Sequence, residues 1–254
     1  MKRKLLSVLL TLCLAFSLLP TAALAEGEGV AQIGETKYAT LADAIAAAKD
    51  GATVTLLADR TEDVTINKSI TLDLGGKTLT NTSAGKATLT VAAGATATVK
   101  NGSIVGGTSF YTIQNNGTAT FEDVTATAGN TGSSMIDNWG DLTINSGSYT
   151  GGLNVVKSEE DSKLTINGGK FTLDYAPSSG YTATILVYGD TTITGGEFIQ
   201  NATPKWGYPQ VVMTGAVEGH ATPTTKVTGG TFTNKKSGSN IFHGYTPATS
   251  DNFE

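Results

Sequence analysis

The sequence predicts an all-β protein built as a right-handed parallel β-helix, a solenoid with coils of about 22 residues and three short strands per coil. Three observations predict this fold. A short phrase recurs along the chain, apolar residues fall into columns with the same period, and the composition is rich in Gly (31 residues) while only 15% of residues are charged. Glycine favours turns, and the abundant threonine favours strands.

The recurring phrase is typified by TINGGKFT, Thr165 to Thr172, with a glycine pair between two large apolar residues. Aligned on the second glycine, its copies are spaced by 22, 23, 22, 27 and 34 residues. That column is Gly102, Val124, Gly147, Gly169, Gly196 and Gly230. Glycine weakens a strand interior, so we expect the pair to lie at a corner, where positive φ and close backbone approach are needed.

Apolar columns accompany each copy of the phrase. The column three residues before the second glycine is Val99, Phe121, Ile144, Ile166, Ile193 and Val227. The column two residues after it is Ile104, Ala126, Tyr149, Phe171, Phe198 and Phe232. A further apolar patch precedes each phrase at Ile113, Ile136, Val155-Val156, Ile185-Leu186 and Val211-Val212. A single repeat cannot bury such residues, but stacked coils can.

The first residues read as a secretory signal peptide, residues 1–25, removed from the mature protein. Lys2, Arg3 and Lys4 precede the apolar run Leu5 to Leu19, and Ala23-Leu-Ala25 provides a cleavage site. Cys13, the one cysteine, lies within this segment, so the mature chain has no disulfide. Secretion to the cell surface or the medium is therefore expected.

Residues 26–52 are predicted to cap the solenoid. Thr40-Leu-Ala-Asp43 resembles a capping box, and the apolar residues that follow share one helical face, so a short helix is expected at residues 40–50. Strands are predicted at Thr53–Leu57, Val64–Ile66 and Ile70–Leu74. The helix is expected to cover strand edges that would otherwise recruit other chains.

The parallel β-helix is predicted to span residues 53–245, followed by an irregular tail at 246–254. The longer spacings near the C-terminus indicate loops at DYAPSSGY, NATPKWGYP and GAVEGHATP. No capping helix or anchor motif is evident after them, which is consistent with a fragment of a longer surface protein. We expect further domains or self-association at this open end.

The stretches YATLADAIAAAKDGATVTLLAD and INKSITLDLGGKTLT, followed by repeated TINGG-x-F, resemble the pectate-lyase-like superfamily of right-handed β-helices. More narrowly, they resemble non-catalytic repetitive surface proteins of Gram-positive gut bacteria. The resemblance covers nearly the whole mature chain and implies the fold, but it leaves the function open because this superfold hosts enzymes, phage spikes and adhesins.

For an enzyme, the resemblance to this superfamily implies one of two sites. One has an arginine base and calcium held by aspartates, and the other has three clustered aspartates with a histidine and an Arg-Lys pair. The mature chain has a single arginine, Arg60, near the cap, and its coil aspartates are scattered along the sequence. His220 and His243 lie in the last, irregular part. We therefore expect no catalytic residue, no metal and no cofactor, and we interpret the acidic residues, including the turn Glu159-Glu160-Asp161, as solvated.

Aromatic residues at one turn provide the candidate binding site. Trp139 and Tyr188 occupy one column, five residues before the Val/Ile column, with Asn116 and Asp161 as the other members. Stacking would place the two aromatic side chains on one ridge, two coils apart. Trp206 and Tyr208 lie in a nearby insertion. Exposed rings can stack on sugars; the simpler alternative is that these are turn residues packed on neighbouring loops.

The sequence thus predicts an adhesin-like binding module or a structural stalk that contacts extracellular glycans or a host surface. The alternative is a polysaccharide lyase or glycoside hydrolase of the same superfold. Removal of the signal peptide lowers the formal charge from −5 to about −8, which argues against nucleic acid as a partner.

Overall fold

A computed structural model describes residues 29–175, 181–202, 208–235 and 242–244. The chain forms a parallel β-solenoid of about six turns with one short helix near the N-terminus, as predicted. The helix is α1 (Leu41–Ala47). The strands of the described residues are β1 (Ala31–Ile33), β2 (Thr36–Tyr38), β3 (Thr53–Leu56), β4 (Arg60–Thr61), β5 (Val64–Ile66), β6 (Ile70–Asp73), β7 (Thr78–Thr80), β8 (Leu89–Val91), β9 (Thr96–Val105), β10 (Ile113–Asn115), β11 (Thr118–Thr127), β12 (Ile136–Asn138), β13 (Asp141–Ile144), β14 (Gly147–Thr150), β15 (Val156–Ser158), β16 (Lys163–Ile166), β17 (Lys170–Leu173), β18 (Tyr181–Val187), β19 (Asp190–Ile193), β20 (Glu197–Gln200), β21 (Tyr208–Thr214), β22 (Thr225–Val227), β23 (Thr231–Asn234) and β24 (Phe242–Gly244).

Three parallel ladders run along the solenoid. The first ladder contains β3, β6, β9, β11, β13, β16, β19 and β22. The second ladder contains β4, β7, β14, β17, β20 and β23 and shares the ten-residue strands β9 and β11 with the first. The third ladder contains β5, β8, β10, β12, β15, β18, β21 and β24. Each coil from β13 onward therefore has three short strands, as the sequence predicts.

The registers confirm the predicted apolar columns. In the first ladder, Phe121 pairs with Val99 and with Ile144, and the column continues through Ile166 and Ile193 to Val227. The second ladder aligns Ile104, Ala126, Tyr149, Phe171, Phe198 and Phe232. The third ladder aligns Leu89, Ile113, Ile136, Val156, Ile185 and Val212. Like residues therefore lie over like residues along the core.

The aromatic members of the second ladder form a continuous stack inside the solenoid. Ring centroids lie 5.0 Å apart for Tyr149–Phe171, 5.0 Å for Phe171–Phe198 and 4.8 Å for Phe198–Phe232, with interplanar angles of 11°, 5° and 6°. These separations match the strand spacing of a parallel sheet, so the backbone sets the ring geometry. The Tyr149 hydroxyl donates to the Ser146 carbonyl at 2.9 Å, which satisfies the one polar group of the stack.

The glycine pair lies at a corner between the first and second ladders. Its second residue has positive φ at Gly147 (113°), Gly169 (103°), Gly196 (113°) and Gly230 (108°). In the two preceding coils Asn101 and Asp123 take the left-handed conformation instead, with φ of 57° and 52°, and β9 and β11 run on without a break. The later corners therefore separate two strands where the earlier ones only bend a single strand.

The N-terminal cap consists of α1 and the antiparallel hairpin β1–β2, which pairs with β3. The Thr40 hydroxyl accepts from the Asp43 amide at 3.0 Å, and the Glu62 carboxylate accepts from the amides of Leu41 and Ala42 at 3.1 and 2.8 Å. At the other end, Lys68 Nζ donates to the carbonyls of Ala46 and Ala48. Both helix ends are thus satisfied by side chains from the neighbouring coil.

The helix is shorter than the predicted 40–50 span because the residues after Ala47 bond elsewhere. The Ala48 backbone is extended. Asp50 accepts from the Ser69 amide at 2.9 Å, and the Gly51 amide donates to the Ser69 carbonyl at 2.6 Å. These bonds anchor the chain to the turn before β6 and end the helix.

Several expectations for the two ends of the chain fall outside the described residues. The predicted signal peptide, the tail at 246–254 and the centres of the first two loops (176–180 and 203–207) are not described, whereas the third loop, 215–223, is. The expected self-association at the C-terminal end stays a prediction. No helix of the described segments has the length and apolar character needed to cross a membrane.

Replacing Phe171 with Ala should lower the free energy of unfolding by about 3–5 kcal/mol, because the substitution leaves a cavity between two stacked rings. The matched control is Lys170→Ala. Lys170 pairs with Glu197 at 2.9 Å but is 50% exposed, so its loss should cost less than about 1 kcal/mol. Urea denaturation measures both, and equal losses would contradict the assigned inner and outer faces.

Gly169→Ala should also destabilise the fold, by about 1–3 kcal/mol, because φ is +103° at this corner and the new Cβ would lie 3.3 Å from the Gly147 carbonyl oxygen. Gly132→Ala is the control, since its Cβ would meet only the Asn130 side chain at 3.7 Å. Thermal unfolding of the two variants tests this, and an unchanged midpoint for Gly169→Ala would show that the corner tolerates a side chain.

Candidate functional site

The outer face of the third ladder carries the candidate site. Strands β8 and β10 have buried residues at both ends and a more accessible residue between them, so their middle residues face outward. In-register pairing aligns these middle residues across the coils. They are Thr65, Thr90, Gln114, Asp137, Lys157, Leu186 and Met213.

Asp137 is the centre of a polar cluster on this face. Its Oδ2 accepts a hydrogen bond from the indole Nε1 of Trp139 at 2.8 Å and a weaker one from Gln114 Nε2 at 3.4 Å. Although it lies on the outer face, Asp137 is only 1% exposed. Its Oδ1 is buried, and no N–H or hydroxyl group of the described residues donates to it. A buried carboxylate oxygen without a hydrogen-bond donor lowers the stability of the fold, so a donor is expected for it.

Glu159 lies beside Asp137 and is 4% exposed. Its Oε1 forms an ion pair with Lys157 Nζ. Burial raises the pKa of Glu159 to about 7, and the neighbouring Asp137 carboxyl group acts in the same direction, against the opposing effect of Lys157. Burial disfavours the Lys157 ammonium, but its hydrogen bond with Glu159 and the charges of Glu159 and Asp137 outweigh this and raise the pKa of Lys157.

Aromatic side chains frame this cluster. Among the described residues, Trp139 is the one large apolar side chain that is exposed (47%). Tyr188 is half-buried, and its ring centroid lies 5.6 Å from Lys157 Nζ. The ring packs closely on Gly215, where an added Cβ would lie 2.5 Å from it. Burial and the charge of Asp137 raise the pKa of Tyr111, so this third ring carries a neutral hydroxyl.

A buried amide ladder fixes the turn that follows the strands of the site. Asn115 Nδ2 donates to Asn138 Oδ1 at 2.7 Å, and Asn138 Nδ2 donates to Ser158 Oγ at 2.9 Å. Ser158 in turn shares a hydrogen bond with Ser162 at 2.7 Å. Because Asn138 and Ser158 immediately precede Trp139 and Glu159, this ladder holds those two side chains in position.

Two clefts lie next to the cluster. One, of about 340 Å³, continues along the same face toward the N-terminus and is lined by Thr90, Phe110 and Gln114, among other residues. The other, of about 180 Å³, lies between Tyr188 and the loop 215–223. His220 on that loop bonds to Asp161 at 2.8 Å between Nδ1 and Oδ2, which holds the loop against the solenoid.

The structure brings together some of the predicted site residues. Trp139 and Tyr188 occupy one turn column, as predicted, but Glu159 lies between them rather than Asp161. The sequence alignment was wrong there because this turn, residues 159–162, is two residues longer than the turn at 139–140. Trp206 lies outside the described residues, and Tyr208 begins β21 opposite Tyr181, its side chain not being described.

Sequence reasoning missed Tyr111, Asp137, Lys157 and Glu159. The interpretation of the coil carboxylates as solvated turn residues is wrong for Asp137 and Glu159, because both are buried. The outward-facing middle residue of each third-ladder strand is the sequence feature that could identify these side chains. The predicted columns, however, were aligned on the apolar residues of the first ladder.

The acidic turn does not converge on a common point. Glu159 turns inward to Lys157, whereas Asp161 turns outward to His220. Within the described ranges, no three His, Cys, Asp or Glu side chains gather closely enough to hold a metal ion. Arg60 lies in β4 of the second ladder, 3.9 Å from Glu62, and takes no part in this site.

Comparisons of the chain with protein-family models, with curated proteins and with solved structures found no match.

Stability should fall as the pH rises through neutrality. The pKa of Glu159 is raised from 4.5 to about 7, so the folded state retains a proton that the unfolded state has lost. The associated stability is fully present below about pH 4.5 and is lost as the pH rises through about 7. Glu159→Gln should flatten this dependence in thermal unfolding at a series of pH values, whereas Glu160→Gln, the matched control, should not. A pH slope unchanged by Glu159→Gln would contradict the assignment.

Proposed function

We propose that the chain is a secreted or cell-surface β-helix protein that binds neutral glycans through the outer face of the third ladder. The observation that carries this proposal is Trp139, an exposed indole whose Nε1 is held by Asp137. A ring braced in this way loses little freedom when a sugar stacks on it, and Tyr111 and Tyr188 extend the aromatic frame.

Charge pairing supports a neutral ligand. Lys157 is paired with Glu159, and Asp137 is engaged by Trp139 and Gln114. No cation of the cluster is left to attract a sugar carboxylate or sulfate, while the hydroxyl and amide groups around the rings can bond to sugar hydroxyls. The cleft of about 340 Å³ on the same face, whose lining includes one cation, Lys86, and one carboxylate, Asp63, offers space for further sugar units.

The sequence resemblance adds to this proposal. Members of the pectate-lyase-like superfamily include adhesins, and the narrower resemblance is to non-catalytic surface proteins of gut bacteria. An adhesin of that kind would display the third-ladder face from a rigid solenoid, which could also act as a stalk.

A carbohydrate-active enzyme is the second candidate, and the Asp137–Glu159 pair is the observation in its favour. Glycosidases use two carboxyl groups, but these are about 5–9.5 Å apart so that the sugar, or the sugar and a water molecule, fits between them. Here both carboxyl groups are buried, and Asp137 lies close enough to raise the pKa of Glu159, so no space for a sugar is evident between them. The geometry therefore favours binding over hydrolysis.

Binding of the secreted chain to an array of neutral oligosaccharides tests the proposal. Trp139→Ala should weaken the affinity at least about fivefold, because loss of ring stacking removes about 1 kcal/mol or more. Trp139→Phe should retain part of the affinity, and Lys170→Ala, on the second ladder, should leave it unchanged. Failure to bind any glycan, or equal binding by Trp139→Ala, would overturn the proposal. Chain shortening of the bound oligosaccharides would favour the enzyme instead.

A further inference from the structure

The buried cluster contains an imbalance of charge. Two carboxyl groups, Asp137 and Glu159, are nearly inaccessible to water, and one ammonium group, Lys157, is close enough to neutralise one of them. Tyr111, Gln114 and Tyr188 complete the surroundings, and none of them supplies a further positive charge. A second buried negative charge beside the first costs free energy, and protonation of one carboxyl group is the simplest way to remove that charge.

The orphaned oxygen shows where that proton belongs. Oδ1 of Asp137 is buried without a donor, while Oδ2 already accepts from Trp139 and Gln114. Lys157 is directed to Glu159 rather than to Asp137. A protonated Glu159 carboxyl would donate to Asp137 and complete the network, because a protonated acid has one O–H donor. An ionised Glu159 has none.

We propose that Asp137 and Glu159 hold one proton between them, and that its loss drives the Glu159 side chain outward between Trp139 and Tyr188, so that the glycan surface is formed in acid and disrupted in base. Asp137 is held in place by the Trp139 indole, whereas Glu159 has a longer side chain whose partner, Lys157, is itself flexible and partly exposed and can follow it outward. Glu159 is therefore the group that moves.

The turn column determines the consequence of that movement. Glu159 lies between Trp139 and Tyr188 in consecutive coils, so a Glu159 side chain that turns outward enters the space between the two rings. An ionised carboxylate at that point would occupy this space and add negative charge to the sugar-binding surface. This regulation rests on the proposed function, but the proton equilibrium itself does not depend on any ligand.

Tryptophan fluorescence tests the inference without a glycan. The chain contains two tryptophans, so a Trp206→Phe background leaves Trp139 as the reporter. Titration from about pH 5 to about pH 9 should shift the emission in a single step near pH 7. The step should disappear with Glu159→Gln, which mimics the protonated acid, and should persist with Glu160→Gln.

Asp137→Asn provides the second variant. The asparagine amide can donate to Glu159 and its oxygen can still accept from Trp139, so the shared proton is no longer needed. The fluorescence step should then move at least about one pH unit lower. Carbon-detected NMR of the Glu159 carboxyl in the parent protein should show the same midpoint as the fluorescence. No step, or a step unaffected by Glu159→Gln, would overturn the inference.

Glycan affinity at two pH values separates the two proposals. If both are correct, affinity should fall at least about threefold between about pH 6 and about pH 8 in the parent and stay constant in Glu159→Gln. A fluorescence step without any glycan binding would contradict the proposed function and leave the proton pair standing. Glycan binding with no pH dependence and no fluorescence step would support the proposed function and contradict the shared proton.

Discussion

In-register stacking of parallel coils is the constraint on which the rest of this structure depends. Each residue of a strand lies about 4.8 Å from its counterpart in the next coil. Identical or similar residues therefore meet along the axis, and the protein uses this twice in its interior. The rings from Tyr149 to Phe232 stack in the core, and the side chains of Asn115, Asn138 and Ser158 form a hydrogen-bonded ladder. A slip of one residue would disrupt both columns at once.

The same stacking creates the candidate site. Two residues of the site, Asp137 and Lys157, are paired on the neighbouring strands β12 and β15. The turns after β12, β15 and β18 then carry Trp139, Glu159 and Tyr188 in consecutive coils. Residues distant in sequence thus meet on one outer face without any loop being specialised for it. The cluster also departs from the solvated polar surface that surrounds it, because buried carboxyl groups and an exposed indole are both unusual. Such departures concentrate at functional sites.

The fold could be predicted from the sequence because its signal repeats. The columns from Val99 and from Ile104 recur every 22 or 23 residues over the first four copies, and six copies outweigh the local ambiguity of any single one. The start of α1 was also predictable, since Thr40 caps it. Its end was not, because Lys68 and Ser69 of the next coil determine where the helix stops.

The site was harder to predict because it depends on turn lengths. The member between Trp139 and Tyr188 was misassigned to Asp161 instead of Glu159, because the turn at 159–162 has two extra residues and spacing measured in one ladder does not give register in another.

A removable coil tests the central claim most directly. Deleting Asn145–Ile166 removes one full period, because Ile144 pairs with Ile166. The shortened chain should unfold cooperatively in urea with a strand-type circular dichroism spectrum, whereas deleting Asn145–Thr165 should abolish folding. Equal stability of the two variants would contradict stacking in register as the organising interaction.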